Sequence, residues 1–183
     1  KSLNHDLEML NSYRDFREEA EKNNFNYFLE VFNPQTKTGL NQLQLGEYVN
    51  DCILKTLAGQ LKSERPLFLK IAYNGPKAME ELAGYDPKNL IVGILGGGKG
   101  TTRDCFELIS KSCKYGAKVA LFGRKINLAE DQQLIVKTMR DVVNGMTSTE
   151  GVKFYHDQLK KKKIKPDRSL DKDLMITEKV LKL

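Results

Sequence analysis

Hydrophobic residues follow two alternating spacings along the chain, and this alternation predicts an α/β fold. Four short runs rich in β-branched and aromatic residues predict strands, at residues 26–32, 67–73, 90–95 and 118–122. Around these runs, apolar residues recur every three or four positions, which predicts helices at residues 3–22, 45–61, 77–83, 102–115 and 129–143. Nearly continuous apolar strands that alternate with helices are typical of a parallel sheet covered on both faces. After residue 145 the pattern predicts a charged helix, a break at Pro166 and a last helix capped near Ser169.

Composition and charge exclude several classes of protein. With 183 residues the chain is long enough for one buried core, and no apolar run reaches the roughly 20 residues that a membrane-spanning helix needs. The net charge is +6, and residues 151–183 hold ten basic and five acidic side chains, so most of the excess lies in this tail. A basic count concentrated in one tail is a weak indication of nucleic-acid binding. We expect neither a nucleic-acid partner nor a membrane.

The cysteines and histidines indicate neither a disulfide framework nor a metal site. Cys52, Cys105 and Cys113 are widely spaced within apolar helical patterns, which predicts a reducing, cytoplasmic setting. His5 and His156 lie in charged helical segments, where surface positions are expected. No spacing typical of metal ligands is recognisable, so we expect chemistry without a metal or another cofactor.

Two charged residues interrupt the apolar strands: Glu30 lies in the first and Lys70 in the second. Because side chains alternate between the faces of a strand, the two become neighbours if the faces of Phe28 and Phe68 coincide. A lysine in an apolar strand gains a carboxylate partner or loses its proton, and an unprotonated amine can form a Schiff base with a carbonyl. The alternative is a purely structural ion pair. Tyr73 is a possible proton donor near Lys70, although alternation turns it toward the helices.

Glycine-rich segments follow the third and fourth strands, at the edge where parallel α/β domains bind their ligands. The third strand runs into Gly96-Gly97-Gly98-Lys99, before a helix expected to begin at residue 101 or 102. Glycine N–H groups at the start of a helix form a cradle for an anion such as phosphate. The fourth strand ends at Gly123, followed by the cation of Arg124. Two neighbouring strands therefore end in segments suited to phosphate.

Residues 93–99 also match most of the nucleotide-binding P-loop pattern G-x-x-x-x-G-K, which makes a P-loop-like nucleotide binder an alternative. The match fails at Gly100, where a Ser or Thr hydroxyl should hold magnesium, and no later strand supplies the usual magnesium-positioning Asp. A glycine-rich turn without any ligand is the other alternative for this segment.

The order of these features resembles the second half of a class I, Schiff-base aldolase barrel, of the group that includes deoxyribose-phosphate, archaeal-type fructose-bisphosphate and tagatose-bisphosphate aldolases. The residues that carry the resemblance are Leu69-Lys70-Ile71, Tyr73-Asn74-Gly75, Gly96-Gly97-Gly98-Lys99, Gly116-Ala117 and Phe122-Gly123-Arg124-Lys125-Ile126-Asn127. The resemblance implies a (β/α)8 TIM barrel. Residues 1–145 would form its second half, with about four βα units, and residues 146–183 a basic helical extension packed on the barrel.

The resemblance also implies roles for individual residues. Lys70 matches the Schiff-base lysine of the sixth strand, and Glu30 is similar to the fifth-strand glutamate of the tagatose-bisphosphate branch, a proton-handling partner for the lysine. In that family the loops after the seventh and eighth strands bind the substrate phosphate. The resemblance therefore implies phosphate binding by Gly97, Gly98, Gly123 and Arg124.

Half a barrel has two open edges, which a stable protein has to cover. Because the chain starts without a Met, we expect the other four strands to precede Lys1. The alternative is that two copies of the chain pair to complete the barrel. We also expect the protein to form a homo-oligomer. The expected function is an aldolase-type lyase of carbohydrate metabolism that acts on a phosphorylated ketose or on dihydroxyacetone phosphate. The alternative is a non-catalytic sugar-phosphate-binding or scaffold protein on the same fold.

Overall fold

A four-stranded parallel sheet lies at the centre of the computed structural model, which describes residues 3–183. Its strands are β1 (Leu29–Val31), β2 (Leu69–Ile71), β3 (Val92–Leu95) and β4 (Val119–Leu121). They lie side by side in chain order, so each strand pairs with the next one along the sequence. The predicted α/β class and the four predicted strands are confirmed, although each strand is shorter than the apolar run that predicted it.

The described residues form eight α-helices and one 3₁₀ turn. The helices are α1 (Leu3–Lys22), α2 (Gln42–Leu57), α3 (Pro76–Tyr85), α4 (Thr102–Lys114), α5 (Arg124–Asn127), α6 (Gln132–Val143), α7 (Ser148–Lys161) and α8 (Leu170–Asp173), and the 3₁₀ turn is Lys179–Lys182. Helix α5 and the 3₁₀ turn were not predicted, because four residues are too few to show a helical period. None of the helices in residues 3–183 combines the length and the apolar character needed to cross a membrane.

The start of α2 illustrates how local sequence sets the helix boundaries. The Asn41 side chain accepts a hydrogen bond from the Gln44 N–H, and the Gln44 side chain accepts one from the Asn41 N–H, each at 3.0 Å. This reciprocal arrangement is a capping box, which satisfies two N–H groups that a helix start otherwise leaves unpaired. The helix therefore begins three residues before its first predicted apolar position, Leu45.

The helices cover one face of the sheet only, so the predicted coverage of both faces is wrong. Leu69, Ile71 and Ile94 point toward the helices and are at most 3% exposed. On the opposite face, by contrast, Phe28 and Phe32 are 46% and 63% exposed. The strands are apolar on both faces, and the sequence pattern therefore could not show that one face lies open.

The C-terminal extension shares the core of the sheet domain. Val152, Tyr155 and Leu159 on α7 have no exposed surface, and α7 packs against both α4 and α6. The Tyr155 hydroxyl accepts a hydrogen bond from the Asp131 N–H at the start of α6, at 3.1 Å. Leu181, near the end of the chain, is equally buried. Residues 146–183 thus pack on the helical layer as part of one hydrophobic core.

Candidate functional site

An ion pair lies on the open face of the sheet, between its first two strands. Glu30 and Lys70 are register partners on β1 and β2, and the Lys70 Nζ is 2.9 Å from a Glu30 carboxylate oxygen. Both side chains are half-buried, at 23% exposure for Lys70 and 30% for Glu30. The structure thus brings together the two charged residues that side-chain alternation predicts to be neighbours, and it leaves them accessible from the open face.

Aromatic rings and a glycine surround the ion pair on the same face. The Lys70 Nζ lies 5.9 Å from the ring centroid of Phe28, which stacks on Phe68 with 5.0 Å between centroids. On the other side, Lys70 pairs in register with Gly93 of β3, which has no side chain. A Cβ at Gly93 would lie only 2.8 Å from the Leu69 carbonyl oxygen, so the position requires glycine. The lysine therefore has a carboxylate on one flank and a residue without a side chain on the other.

An amide pair closes the carboxyl edge of β1 and β2. The Asn33 Nδ2 donates to the Asn74 Oδ1 at 2.8 Å, and the Asn74 Nδ2 donates back to the Asn33 Oδ1 at 2.9 Å. The Gln42 side chain reaches the same Asn74 oxygen at 3.5 Å. Sequence reasoning missed Asn33 because the Asn-Pro pair at this point indicates a turn and nothing more. These amides supply neutral polar groups at the strand ends that follow Glu30 and Lys70.

The glycine loop after β3 is an open backbone cradle. A Cβ added at Gly97 or Gly98 would meet no atom within 4 Å, so a ligand can approach the backbone there. Gly97 has a φ of +64°, a left-handed conformation that glycine adopts without strain. The N–H groups of residues 97–100 donate no hydrogen bond to the part of the chain that the structure describes. The loop is held in place at Gly96, whose N–H donates to the Leu121 carbonyl of β4 at 3.3 Å.

Two carboxylates of the protein itself already occupy the N–H groups at the start of α4. The Thr102 N–H donates to the Asp173 Oδ1 at 2.8 Å, and the Thr101 N–H donates to the Asp104 Oδ2 at 3.0 Å. The helix start, which the sequence predicts to take part in anion binding, is therefore filled from within the chain. An anion has access to the N–H groups of Gly97 and Gly98, ahead of the helix.

The segment after β4 offers a second set of groups at the same edge. A Cβ at Gly123 would meet open space, and Arg124 is exposed, with no described acidic group within ion-pair distance. Lys125 differs from Arg124, since its side chain is fully buried and its Nζ lies 3.1 Å from the Glu178 carboxylate. Gly123 and Arg124 thus belong to the accessible surface, whereas Lys125 belongs to the interior.

Tyr73 is not brought together with the ion pair. It lies on the helix-facing side of β2, is 5% exposed, and its hydroxyl has no hydrogen-bond partner among the described residues. Burial raises the pKa of the Tyr73 hydroxyl above its usual value, with smaller contributions from Tyr115 and Glu107. We therefore leave Tyr73 out of the candidate site.

The remaining candidate ligands do not form a metal site. His156 was expected on the surface but is 10% exposed, and its Nε2 lies 2.9 Å from the Asp173 Oδ2; the other histidine, His5, is exposed. Burial raises the pKa of the Cys105 thiol to about 12, whereas Cys52 and Cys113 are exposed. Within residues 3–183, no group of three His, Cys, Asp or Glu side chains is arranged to hold a metal ion.

Comparisons with known proteins leave the function to be argued from the site. No model of a known protein family matches the chain, and no curated protein matches its sequence. The resemblance to Schiff-base aldolases therefore depends on the quoted motifs. The geometry adds a lysine–carboxylate pair on an accessible sheet face and two glycine-containing loops at the carboxyl edge of that sheet.

Proposed function

We propose that the chain is the second half of a (β/α)8 barrel and acts as a Schiff-base lyase on a phosphorylated ketose or on dihydroxyacetone phosphate. The observation that carries the proposal is the accessible Lys70–Glu30 pair, with its 2.9 Å contact, on the face that a barrel turns inward. The loops at Gly97, Gly98, Gly123 and Arg124 supply the groups for a substrate phosphate at the carboxyl edge.

The barrel part of the proposal is supported by what the sheet leaves uncovered. Sequential parallel strands with helices on one face are the arrangement of barrel units, and among the described residues β1 and β4 each pair on one side only. Large apolar side chains next to the open face and on α1 are exposed, namely Leu3, Leu7, Leu10, Phe28 and Phe32. Large apolar side chains exposed on a sheet face are typical of a surface that another part of a protein covers. Barrel closure would cover both free edges and the exposed rings of Phe28 and Phe32.

The Lys70–Glu30 pair can carry out each step of Schiff-base cleavage. Glu30 accepts a proton from the Lys70 ammonium, and the amine attacks the substrate carbonyl carbon to give a carbinolamine. Glu30 returns the proton to the carbinolamine hydroxyl, which leaves as water to give an iminium ion. The bond between the α and β carbons then breaks: its electron pair becomes the C=C bond of an enamine, and the C=N electron pair moves to nitrogen. The β carbon leaves as an aldehyde while a carboxylate such as Glu30 removes its hydroxyl proton. Protonation of the enamine and addition of water release the ketone and restore Lys70. Binding of the phosphate at the loops fixes the carbonyl over the lysine.

The structure is compatible with one of the two alternatives and disfavours the other. A non-catalytic sugar-phosphate-binding protein would use the same loops and keep Lys70–Glu30 as a structural cross-strand pair. The P-loop alternative is disfavoured because Gly93, its first glycine, lies inside β3 rather than in a loop. Its lysine, Lys99, also forms an ion pair with Asp167.

Borohydride trapping tests the proposed function directly. The protein is incubated with dihydroxyacetone phosphate and reduced, and its intact mass and peptide map are compared with those of an untreated sample. We expect one reduced triose-phosphate adduct, located on Lys70, because borohydride reduces an iminium to a stable secondary amine. A folded protein that gives no adduct, yet binds dihydroxyacetone phosphate, would favour the non-catalytic alternative.

The variant Gly98→Asp tests the phosphate assignment. A carboxylate in the cradle repels a phosphate and fills its space, so we expect inorganic phosphate to bind at least about tenfold more weakly, as measured by calorimetry. Gly84→Asp is the matched control. Gly84 lies on α3 and also faces open space, and its replacement adds the same charge away from the loop. Equal phosphate affinity in the two variants would refute the assignment.

A further inference from the structure

The C-terminal segment, residues 167–182, crosses the glycine loop after β3 and bonds to it at several points. We call these residues the C-terminal strap. Asp167 forms an ion pair with Lys99, and the Met175 carbonyl accepts a hydrogen bond from the Thr101 hydroxyl at 2.7 Å. Asp173 accepts the Thr102 N–H. The loop is therefore held by a segment about 70 residues later in the chain.

Asp104, on the first turn of α4, anchors the far end of the strap. Its side chain is fully buried and accepts hydrogen bonds from the Thr177 N–H at 2.8 Å, the Thr177 hydroxyl at 2.5 Å and the Glu178 N–H at 3.2 Å. Gly100 packs directly on this carboxylate. It has a φ of +60°, and a Cβ there would lie 2.9 Å from the Asp104 Oδ2. The strap and the glycine loop are thus packed around the same buried group.

Lys125 joins the strap to both loops at once. Its side chain has no exposed surface, and its Nζ lies 3.1 Å from the Glu178 Oε1 and 3.4 Å from the Lys99 carbonyl oxygen. Lys125 comes directly after Arg124 in the loop after β4. A buried ammonium needs its acceptors, because an unpaired charge in the interior is very costly. Glu178 therefore holds a buried group that links the loop after β3 to the loop after β4.

The link also sets the direction of the peptide between Lys99 and Gly100. In a trans peptide the C=O and the following N–H point in opposite directions. Since the Lys99 carbonyl turns toward the Lys125 ammonium, the Gly100 N–H turns away from it. The orientation of the last amide of the cradle thus depends on a buried pair that does not itself contact the accessible glycines Gly97 and Gly98.

We propose that Glu178 is a positioning residue for phosphate binding: by holding Lys125, it fixes the two loops relative to each other in the geometry that a phosphate requires. This inference rests on the proposed function. Glu178 acts through Lys125 and through its packing beside Gly100, where a Cβ would lie 3.4 Å from the Glu178 Oε1. It has no described contact with Lys70 or with the accessible glycines Gly97 and Gly98. Its loss changes recognition of the phosphate while leaving the reactivity of the Schiff-base lysine unchanged.

The sign of the effect separates positioning from simple electrostatics. Removing a negative charge near an anion site strengthens anion binding if the charge acts only through space. Removing a residue that positions the site weakens binding, because misplacement of binding groups by about 1 Å costs up to roughly a hundredfold. Glu178→Gln distinguishes the two, since glutamine has nearly the same shape and no charge.

The experiment compares Glu178→Gln with Asp171→Asn in borohydride trapping at Lys70. Asp171 is an exposed strap carboxylate without a described hydrogen-bond or ion-pair partner, so its variant controls for the charge change. We expect Glu178→Gln to raise the dihydroxyacetone phosphate concentration for half-maximal trapping about tenfold. Trapping of Glu178→Gln with unphosphorylated dihydroxyacetone is expected to equal that of the wild type. Asp171→Asn is expected to match the wild type with both the phosphorylated and the unphosphorylated compound. Equal values for the two variants, or tighter binding by Glu178→Gln, would overturn the proposal.

A direct binding measurement keeps this inference distinguishable from the proposed function. If the wild type forms no adduct with either carbonyl compound, the Schiff-base function fails, and calorimetry with inorganic phosphate then tests the strap alone. We expect the affinity for phosphate to fall about tenfold in Glu178→Gln. Thr177→Val is a second variant: Thr177 is exposed, and the substitution removes the hydroxyl that donates to Asp104. Its affinity for phosphate is also expected to fall. Thermal unfolding identifies any variant that does not fold. A wild type that binds no phosphate overturns the inference.

Discussion

Replacing Lys70 with methionine is expected to abolish the borohydride-trapped adduct, because the Schiff base needs the ε-amine and methionine has none. Methionine keeps an unbranched, flexible side chain of similar length, so it can occupy the same space beside the Phe28 ring. We expect adduct formation to fall at least about a hundredfold at saturating dihydroxyacetone phosphate, to the level of an unreduced sample. Intact mass spectrometry after reduction measures this loss, and peptide mapping checks that no other lysine is labelled.

A matched variant controls for the lost positive charge. Lys77 on α3 also pairs with a carboxylate, Glu47, at 2.7 Å, but its side chain is 65% exposed and lies away from the open face of the sheet. Lys77→Met is expected to form the adduct at the wild-type rate. If Lys70→Met were labelled as fast as Lys77→Met, the nucleophile would be another residue and the assignment of Lys70 would be refuted. Both variants should bind inorganic phosphate as the wild type does.

The pairing of Lys70 with Glu30 was predictable because two simple regularities determine it. Side chains alternate with a period of two along a strand, and neighbouring parallel strands align with their carboxyl ends at one edge. Counting in twos from Phe28 and Phe68 is then enough to place both charged residues on one face. The open state of that face was not predictable, since apolar side chains line a barrel interior as well as a helix-covered surface.

The strap shows why the other half of the candidate site escaped prediction. Thr102 and Asp173 are 71 residues apart, and nothing in their local sequence indicates that the Asp173 carboxylate accepts the Thr102 N–H at the start of α4. The same holds for Lys125 and Glu178, because Glu178 lies among the charged residues of the basic tail, a pattern typical of a solvated surface. His156 was expected at the surface for this reason too. Contacts at long sequence separation depend on the packing of α7 against α4 and α6, which no periodicity specifies.

The two halves of the candidate site also differ in what holds them. The lysine–carboxylate pair is built on adjacent strands, so the hydrogen-bonded sheet fixes it. The phosphate cradle is built on loops, and loops need support from other residues to hold a binding geometry. In this chain the support comes from the strap, which donates three hydrogen bonds to Asp104. Stability of the strap and order of the cradle should therefore change together.

Replacing Asp104 with alanine is accordingly expected to lower the free energy of unfolding by about 3 kcal/mol at pH 7, because it removes a buried carboxylate that four buried or partly buried hydrogen-bond donors share as their acceptor. The donors are the N–H groups of Thr101, Thr177 and Glu178 and the Thr177 hydroxyl. Urea unfolding followed by circular dichroism measures the loss. Asp171→Ala, which removes an exposed strap carboxylate, should change the free energy of unfolding by less than about 0.5 kcal/mol.

The pH dependence of this difference provides the sharper test. Burial alone would raise the pKa of Asp104, but the hydrogen bonds from Thr101, Thr177 and Glu178 outweigh it and hold the pKa below its usual value. A carboxyl group with a lowered pKa in the folded state stabilises the fold fully above its unfolded pKa of about 3.9, and this contribution is lost as the pH falls through the folded value. The wild type should therefore lose its advantage over Asp104→Ala below about pH 4. A difference that stays constant from neutral pH to well below pH 4 would mean that the charge of Asp104 does not hold the strap, since only its ionised form accepts all of these bonds.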